Sequence, residues 1–147
     1  MEKLLKELKT MFLADKFVVT GSVALAKYKL MPIDKIGDVD IILVNPAKES
    51  IDLANRMATD FPAKGRPSQT GSLIACFMKD GKKVELFGIF GSKEKESIII
   101  DGIDYDTIPS IVSAKKKYNR VKDWMQLRKM GRMFFKEEEF TTFLNNQ

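Results

Sequence analysis

Histidine is absent from this chain of 147 residues, and cysteine occurs only once. Without histidine, the chain has no Ser-His-Asp or Cys-His nucleophilic site, no histidine-ligated zinc and no histidine general base. The single cysteine, Cys76, excludes an internal disulfide, and its apolar neighbours predict a small buried side chain. Any catalysis by this chain must therefore depend on carboxylates, lysines and bound metal.

Long apolar runs are also missing, and none approaches the roughly 20 residues of a membrane-spanning helix. The N-terminal segment mixes acids, bases and leucines at helical spacing, unlike the core of a signal peptide. We therefore expect a cytoplasmic protein with no membrane partner. Lys and Arg number 25 against 20 Asp and Glu, and the net charge of +5 favours an anionic partner.

Hydrophobic periodicity and turn residues predict an α/β (α+β) fold, in which a mixed β-sheet is flanked by helices. Helices are predicted at 2–14, 22–30, 47–60, about 109–130 with a break near Asn119, and 136–145. Strands are predicted at 17–20, 38–44, 72–78, 83–90 and 97–101. Asp80-Gly81 predicts a hairpin, and a loop is expected at 61–67. We expect one domain over 1–147, with a core at about 16–104 and C-terminal helices at about 108–147.

Two acids interrupt the predicted strand at 38–44, where Asp38 and Asp40 are separated by one valine. Carboxylates two residues apart on a strand point to the same side, where they repel each other and are costly to desolvate. A bound divalent metal compensates such a pair, because Mg²⁺ takes carboxylate and phosphate oxygens together. The pattern therefore indicates a metal site for a phosphorylated ligand.

Two further features extend this site. Gly21-Ser22 follows a short apolar strand and opens a helix, so its backbone N–H groups and hydroxyl suit a phosphate, and Ser22 is expected to cap the helix. Glu85 is a third acid within an apolar strand. If that strand lies beside the acidic one, three carboxylates meet and are able to hold two metal ions around a reacting phosphorus.

Each feature also has a structural explanation when it is taken alone. An Asp-x-Asp pair is common on a solvated strand face, and Glu85 has Lys83 or a cross-strand lysine as a possible partner. The order of the features is harder to explain this way. Strand, Gly-Ser, helix, Asp-x-Asp strand, helix and strand acid follow one another along the chain.

This order resembles the nucleotidyltransferase superfamily with the DNA polymerase beta-type fold, particularly its small bacterial and antibiotic-modifying members. The segment Ala114–Asp123 is similar to a C-terminal helix with Lys, Arg and Lys-Asp in several such families. The resemblance covers roughly residues 16–130. The chain departs from the pattern at two places: the third acid, Glu85, is usually Asp, and Gln126 stands where another Asp often follows the Lys-Asp pair.

The resemblance implies a Mg²⁺-dependent (or Mn²⁺-dependent) nucleotidyltransferase, which moves an NMP from an NTP to a hydroxyl of a small molecule or protein. Asp38, Asp40 and Glu85 would be its catalytic acids and metal ligands. Gly21 and Ser22 would bind the triphosphate.

The same resemblance makes Lys115 and Arg120 candidates for phosphate contact. The alternative for Lys115 is a solvated helix face shared with Lys116 and Lys117. The alternative for Arg120 is an i,i+3 surface pair with Asp123.

Two other functions stay open at this stage. A non-catalytic relative serving as an interaction module or antitoxin is favoured by the short length, which leaves only the C-terminal helices to build an acceptor pocket. A homodimer would also complete such a pocket. The basic segment Lys115–Arg132 suggests a nucleic-acid-directed transferase or binder, although no basic strand with interleaved aromatics is present to stack single-stranded bases.

Overall fold

The computed structural model describes residues 1–33, 36–58, 71–91, 94–131 and 136–147. The helices are α1 (Glu2–Met11), α2 (Gly21–Lys27), α3 (Lys48–Met57), α4 (Ile108–Tyr118), α5 (Val121–Met130) and α6 (Glu137–Asn145). The strands are β1 (Lys16–Thr20), β2 (Asp38–Val44), β3 (Ser72–Lys79), β4 (Lys82–Ile89), β5 (Ser97–Ile100) and β6 (Ile103–Asp106). The loop predicted at 61–67 and residues 59–60 of the helix predicted at 47–60 lie outside the described residues.

The six strands form one mixed sheet in the order β3-β4-β2-β1-β6-β5, which confirms the predicted fold class. β2 pairs with β4, and β1 with β6, in parallel, whereas β1–β2, β3–β4 and β5–β6 are antiparallel. The connection through α2 therefore joins two antiparallel strands. β2 lies between β1 and β4, so both of its edges are hydrogen-bonded.

Both hairpins of the sheet turn on an Asp-Gly pair. Asp80-Gly81 joins β3 to β4, as predicted, and Asp101-Gly102 joins β5 to β6. All four residues have positive φ, between 50° and 79°, which suits the tight turn of a two-residue hairpin. β6 was not predicted, although Asp101-Gly102 is the same signal and marks its start.

The two faces of the sheet have different roles because side chains alternate along each strand. On one face, Val39, Ile41 and Leu43 of β2 join the main core, which also includes buried residues of α1, α2 and α3. On the other face, Ile42 packs with Val18, Leu73 and Phe87 in a smaller cluster. The acids of β2 alternate with Val39, so they belong to this second face.

The C-terminal helices have a small core of their own. Trp124 of α5 stacks on Phe143 of α6 with ring centroids 5.7 Å apart, and both pack with Val112 and Leu127. The predicted break near Asn119 is present: Asn119 ends α4 in the left-handed conformation, and its side chain accepts a hydrogen bond from the Trp124 indole at 2.8 Å. None of the helices in the described residues combines the length and apolar character needed to cross a bilayer.

Candidate functional site

The two strands that carry the predicted acids are neighbours, and their register aligns the acids. Asp40 on β2 is paired with Glu85 on β4, and Asp38 with Lys83. Residues paired across adjacent strands present their side chains to the same face. The three carboxylates therefore belong to one face of the sheet, as the sequence predicts.

Glu85 already has a basic partner in this arrangement. Its carboxylate lies 3.2 Å from the Lys83 ammonium, two residues earlier on the same strand, and the Glu85 side chain is 18% exposed. This contact raises the pKa of Lys83 above its usual value. The ion pair with Lys83, which would explain Glu85 structurally, is therefore present. Glu85 is nevertheless also paired with Asp40 in the strand register.

Gly21 lies directly against Asp40. β1 is antiparallel to β2 and its last residue, Thr20, pairs with Asp40, so α2 begins beside the acid. Gly21 has φ +64°, and a Cβ built on it would stand 2.6 Å from Asp40 Oδ2. A side chain at position 21 would therefore be strained by the backbone conformation and would require the Asp40 carboxylate to move.

The predicted cap of α2 is wrong. Thr20, not Ser22, occupies the N-cap position, and it makes no side-chain cap hydrogen bond. Its hydroxyl instead donates to Asp106 Oδ2 at 2.7 Å. Ser22 lies within the first turn of α2, one residue after Gly21.

Asp40 is the acid most strongly affected by its surroundings. Loss of solvation, followed by the negative charges of Glu85 and Asp38, raises the pKa of Asp40 to about 7. The positive charges of Lys115 and Lys122 act in the opposite direction. A group of like charges with this effect is typical of functional sites, and a bound cation would relieve it.

Lys115 is buried, not part of a solvated helix face. It is 8% exposed on α4, and its ammonium donates a hydrogen bond to Gln126 Oε1 of α5. Burial lowers the pKa of Lys115, while the charges of Asp123 and Asp40 oppose that shift. Because Lys115 interacts electrostatically with Asp40, α4 contributes a charge to the same site as β2. Lys117, by contrast, is exposed, as predicted.

Arg120 is engaged by Asp123, as the alternative interpretation expects. Its Nε lies 2.7 Å from Asp123 Oδ2 and its Nη2 lies 3.0 Å from Oδ1, so the two planar groups meet along two hydrogen bonds. Asp123 also accepts from the Arg120 backbone N–H and is 1% exposed. Arg120 thus caps α5, and its role as a phosphate contact stays a prediction.

A buried polar network on the other side of Thr20 was missed by sequence reasoning. Asp106, 3% exposed at the end of β6, accepts from Thr20 and lies 2.7 Å from the Lys95 ammonium. Lys95 also donates to the Ser110 hydroxyl of α4 at 2.6 Å, and Tyr28 donates to the Asp106 carbonyl at 2.8 Å. Asp106 therefore holds the residues that flank both ends of α2.

The positions of two other residues near the site were also not predicted from the sequence. Cys76 on β3 pairs with Glu85 in the strand register, so it extends the row of Thr20, Asp40 and Glu85 across the sheet. Lys122 of α5 is exposed and acts electrostatically on Asp40. The Lys-Asp pair at 122–123 was part of the resemblance found in the sequence, but its spacing gave no indication that Lys122 would interact with Asp40.

The donor chemistry of the three acids fits a hard cation such as Mg²⁺, since all three offer carboxylate oxygens. Within the described residues, however, no three Asp, Glu, His or Cys side chains are gathered closely enough to hold a metal together as they stand. The Lys83 contact accounts for this at Glu85. Asp38 and Asp40 are the residues that fit a cation with least rearrangement, and Glu85 would have to leave Lys83 to join them.

Comparison with known proteins supports the fold. No family model and no curated protein matches the chain. Among solved structures, a proposed nucleotidyltransferase from Thermotoga maritima is similar, with a TM-score of 0.56 and 20% sequence identity over 87% of this chain and 92% of that one. At this identity the similarity establishes the fold alone. The suspected resemblance is confirmed to that extent: the chain has a nucleotidyltransferase-like fold.

The close approach of Gly21 to Asp40 leads to a first prediction. Gly21→Ala should lower the free energy of unfolding by about 2 kcal/mol or more, because it adds both left-handed strain and a contact with the carboxylate. Gly102→Ala is the matched control: Gly102 has φ +79° and a Cβ added to it would meet no other atom within 4 Å, so it should lose only about 1 kcal/mol. Urea unfolding measures both, and equal losses would contradict the placement of Asp40.

The pKa of Asp40 leads to a second prediction, for protein kept free of divalent metal. An unfolded aspartate titrates near pH 4 and folded Asp40 near pH 7, so the folded state binds the extra proton between these values. Stability from this group is therefore fully present below about pH 4 and is lost as the pH rises through about 7, by on the order of 4 kcal/mol. Asp40→Asn should flatten this part of the profile measured by urea unfolding, whereas Asp52→Asn, at an exposed position of α3, should leave the slope unchanged.

The Asp106 network leads to a third prediction. Asp106→Asn should destabilise the protein by about 3 kcal/mol, because it leaves the Lys95 ammonium buried without its counter-charge. Asp101→Asn removes the exposed partner of Lys27, whose pair is 2.9 Å long, and should cost far less, because solvent screens that pair. Similar unfolding midpoints for the two variants would show that the Asp106 pair does not hold this region together.

Proposed function

We propose that this chain is a Mg²⁺-dependent nucleotidyltransferase, which moves an NMP from an NTP to a hydroxyl group of a small molecule or protein. The observation that carries the proposal is the register of β1, β2 and β4, which aligns Asp40 with Glu85 and puts Gly21 against Asp40. Asp38 lies two residues away on the same face. The nucleotidyltransferase-like fold supports the same function.

In this proposal, Asp38 and Asp40 hold the metal ion. When bound, Mg²⁺ orients the triphosphate and stabilises the negative charge of the leaving pyrophosphate. Gly21 allows the phosphates to approach the backbone, and the Ser22 hydroxyl donates to a phosphate oxygen. Lys115 adds a positive charge from the α4 side of the site.

The reaction exchanges one phosphorus–oxygen bond for another. The acceptor hydroxyl oxygen bonds to the α-phosphorus, and the bond from that phosphorus to the bridging oxygen of the β-phosphate breaks. Pyrophosphate leaves with the electron pair. Glu85, once separated from Lys83, accepts the hydroxyl proton or ligates a second metal ion.

A specific observation favours a second candidate, a non-catalytic interaction module with the same fold. Glu85 is already paired with Lys83, and no ready-made three-ligand metal site exists among the described residues. In this alternative the acids balance neighbouring lysines, and the fold serves to bind another protein.

The nucleic-acid alternative receives less support. Two cations of the basic segment are engaged by carboxylates within the protein: Lys116 by Glu139 at 3.1 Å, and Arg120 by Asp123. Cations held in this way are less available to a phosphate backbone. Arg132, at the end of the segment, lies outside the described residues.

The test is the response of the protein to nucleotide and metal. The parent should melt at a higher temperature with Mg²⁺ and an NTP, because both bind the native state only. Asp38→Asn with Asp40→Asn should stay folded, be at least as stable as the metal-free parent because the repulsion is removed, and lose the response. Asp52→Asn should keep it.

Turnover is tested by pyrophosphate release in the presence of Mg²⁺, the four NTPs and panels of hydroxyl-bearing acceptors. We expect release from the parent and at least a hundredfold less from the double variant. A parent that shows neither a melting response nor release, together with a double variant that melts lower, would replace this proposal with the interaction module.

A further inference from the structure

The contact between α4 and α5 contains a buried charge whose hydrogen-bond acceptor is neutral. Lys115 is 8% exposed, and its ammonium donates to the side-chain carbonyl oxygen of Gln126, eleven residues later. Burying an ammonium is costly unless it is paired, so its immediate neighbours decide what it does. An amide oxygen satisfies one N–H of the ammonium but brings no negative charge into direct contact with it.

Asp123 of α5 does not form a direct ion pair with Lys115. Asp123 is 1% exposed, and both of its oxygens are engaged by the Arg120 guanidinium at 2.7 and 3.0 Å. Among the described residues Lys115 forms no salt bridge, whereas Lys116, the next residue of α4, is paired with Glu139 at 3.1 Å. The two neighbouring lysines therefore differ: one is neutralised by a carboxylate and the other is held by an amide.

Lys115 also belongs to the acidic site, because its charge acts on Asp40 and the charge of Asp40 acts on it. A buried cation that has no carboxylate in direct contact, near acids whose oxygens fit Mg²⁺, is suited to an anionic ligand that meets both the metal and the cation. A polyphosphate bound with Mg²⁺ has this property, since its oxygens contact metal and ammonium together.

We propose that Gln126 is a positioning residue for polyphosphate binding: its amide oxygen fixes the Lys115 ammonium in the site without neutralising it. The charge of Lys115 is thereby reserved for the phosphates of the nucleotide. A carboxylate at position 126 would form an ion pair with Lys115 and compete with the ligand. This inference rests on the proposed function and deepens it, because it explains how the protein keeps a buried lysine available to phosphate.

The experiment compares Gln126→Glu and Gln126→Met with the parent, using tripolyphosphate and ATP, each with Mg²⁺, as probes. Gln126→Glu supplies the missing counter-charge, and Gln126→Met keeps the size of the side chain but removes the acceptor. Gln147→Glu is the matched control, since it makes the same chemical change where the amide instead donates to the Phe143 carbonyl. Affinity is measured by calorimetry, and folding by thermal melting.

We expect Gln126→Glu to weaken tripolyphosphate binding at least tenfold while its melting temperature stays the same or rises, because the new ion pair stabilises Lys115. Gln126→Met should weaken binding about threefold or more and melt lower. In a Lys115→Gln background, either change at position 126 should alter the affinity less than threefold. Gln147→Glu should bind like the parent.

The opposite directions of affinity and stability in Gln126→Glu separate positioning from a purely structural role, which would move both together. Parent-like tripolyphosphate affinity in folded Gln126→Glu would overturn the inference and leave the proposed function standing. The same conclusion would follow if the changes at position 126 weakened tripolyphosphate binding in the Lys115→Gln background as much as they do in the parent. A parent that binds neither probe in the presence of Mg²⁺ would overturn both proposals.

Discussion

The pairing of β2 on both of its edges is the constraint on which the candidate site depends. Because β2 is central, Asp40 is held between Thr20 of β1 and Glu85 of β4 by backbone hydrogen bonds that the main core stabilises. A shift of one residue in this register would move the acids to the opposite face and the apolar residues of β2 out of the core. The burial of Val39, Ile41 and Leu43 therefore fixes where the carboxylates meet.

The charges around this strand are arranged asymmetrically. Glu85 is neutralised by Lys83, whereas Asp40 forms no salt bridge within the described residues and interacts electrostatically with Lys115 and Lys122 of the C-terminal helices. The raised pKa of Asp40 is the physical result of that difference. A divalent cation bound by Asp38 and Asp40 would compensate the negative charge of Asp40. In the proposed enzyme, Glu85 would also have to leave Lys83 and bind a metal ion, whereas in an interaction module it would stay paired with Lys83.

Asp106 connects the Gly21-Ser22 turn to the rest of the protein. Its side chain holds Thr20, immediately before Gly21, and its backbone carbonyl holds Tyr28, immediately after α2. A helix of seven residues has little stability of its own, so these two contacts and the burial of Val23, Ala24 and Leu25 in the main core hold it in place. The same acid is paired with Lys95, which also reaches Ser110 of α4. The network thus joins α2, β6 and α4 on one side of the site, as Lys115 and Gln126 join α4 and α5.

Local signals in the sequence determined most of the elements and the identity of the acids. Period-2 and helical periodicity, together with Asp80-Gly81, predicted five of the six strands and the mixed sheet, because those patterns reflect burial along a single element. β6 was not predicted although its apolar and acidic residues alternate, because it has only four residues; its pairing with β1 and the burial of Asp106 depend on partners that are distant in sequence. Spacing also identified Asp38, Asp40 and Glu85, since carboxylates in apolar strands are unusual wherever those strands lie. Only the tertiary structure decided that Lys115 is buried and held by Gln126, and that Thr20 donates to Asp106 in place of capping α2. Each of these outcomes depends on which side chain arrives from another element, and the strand register and helix packing that bring it there are properties of the whole core.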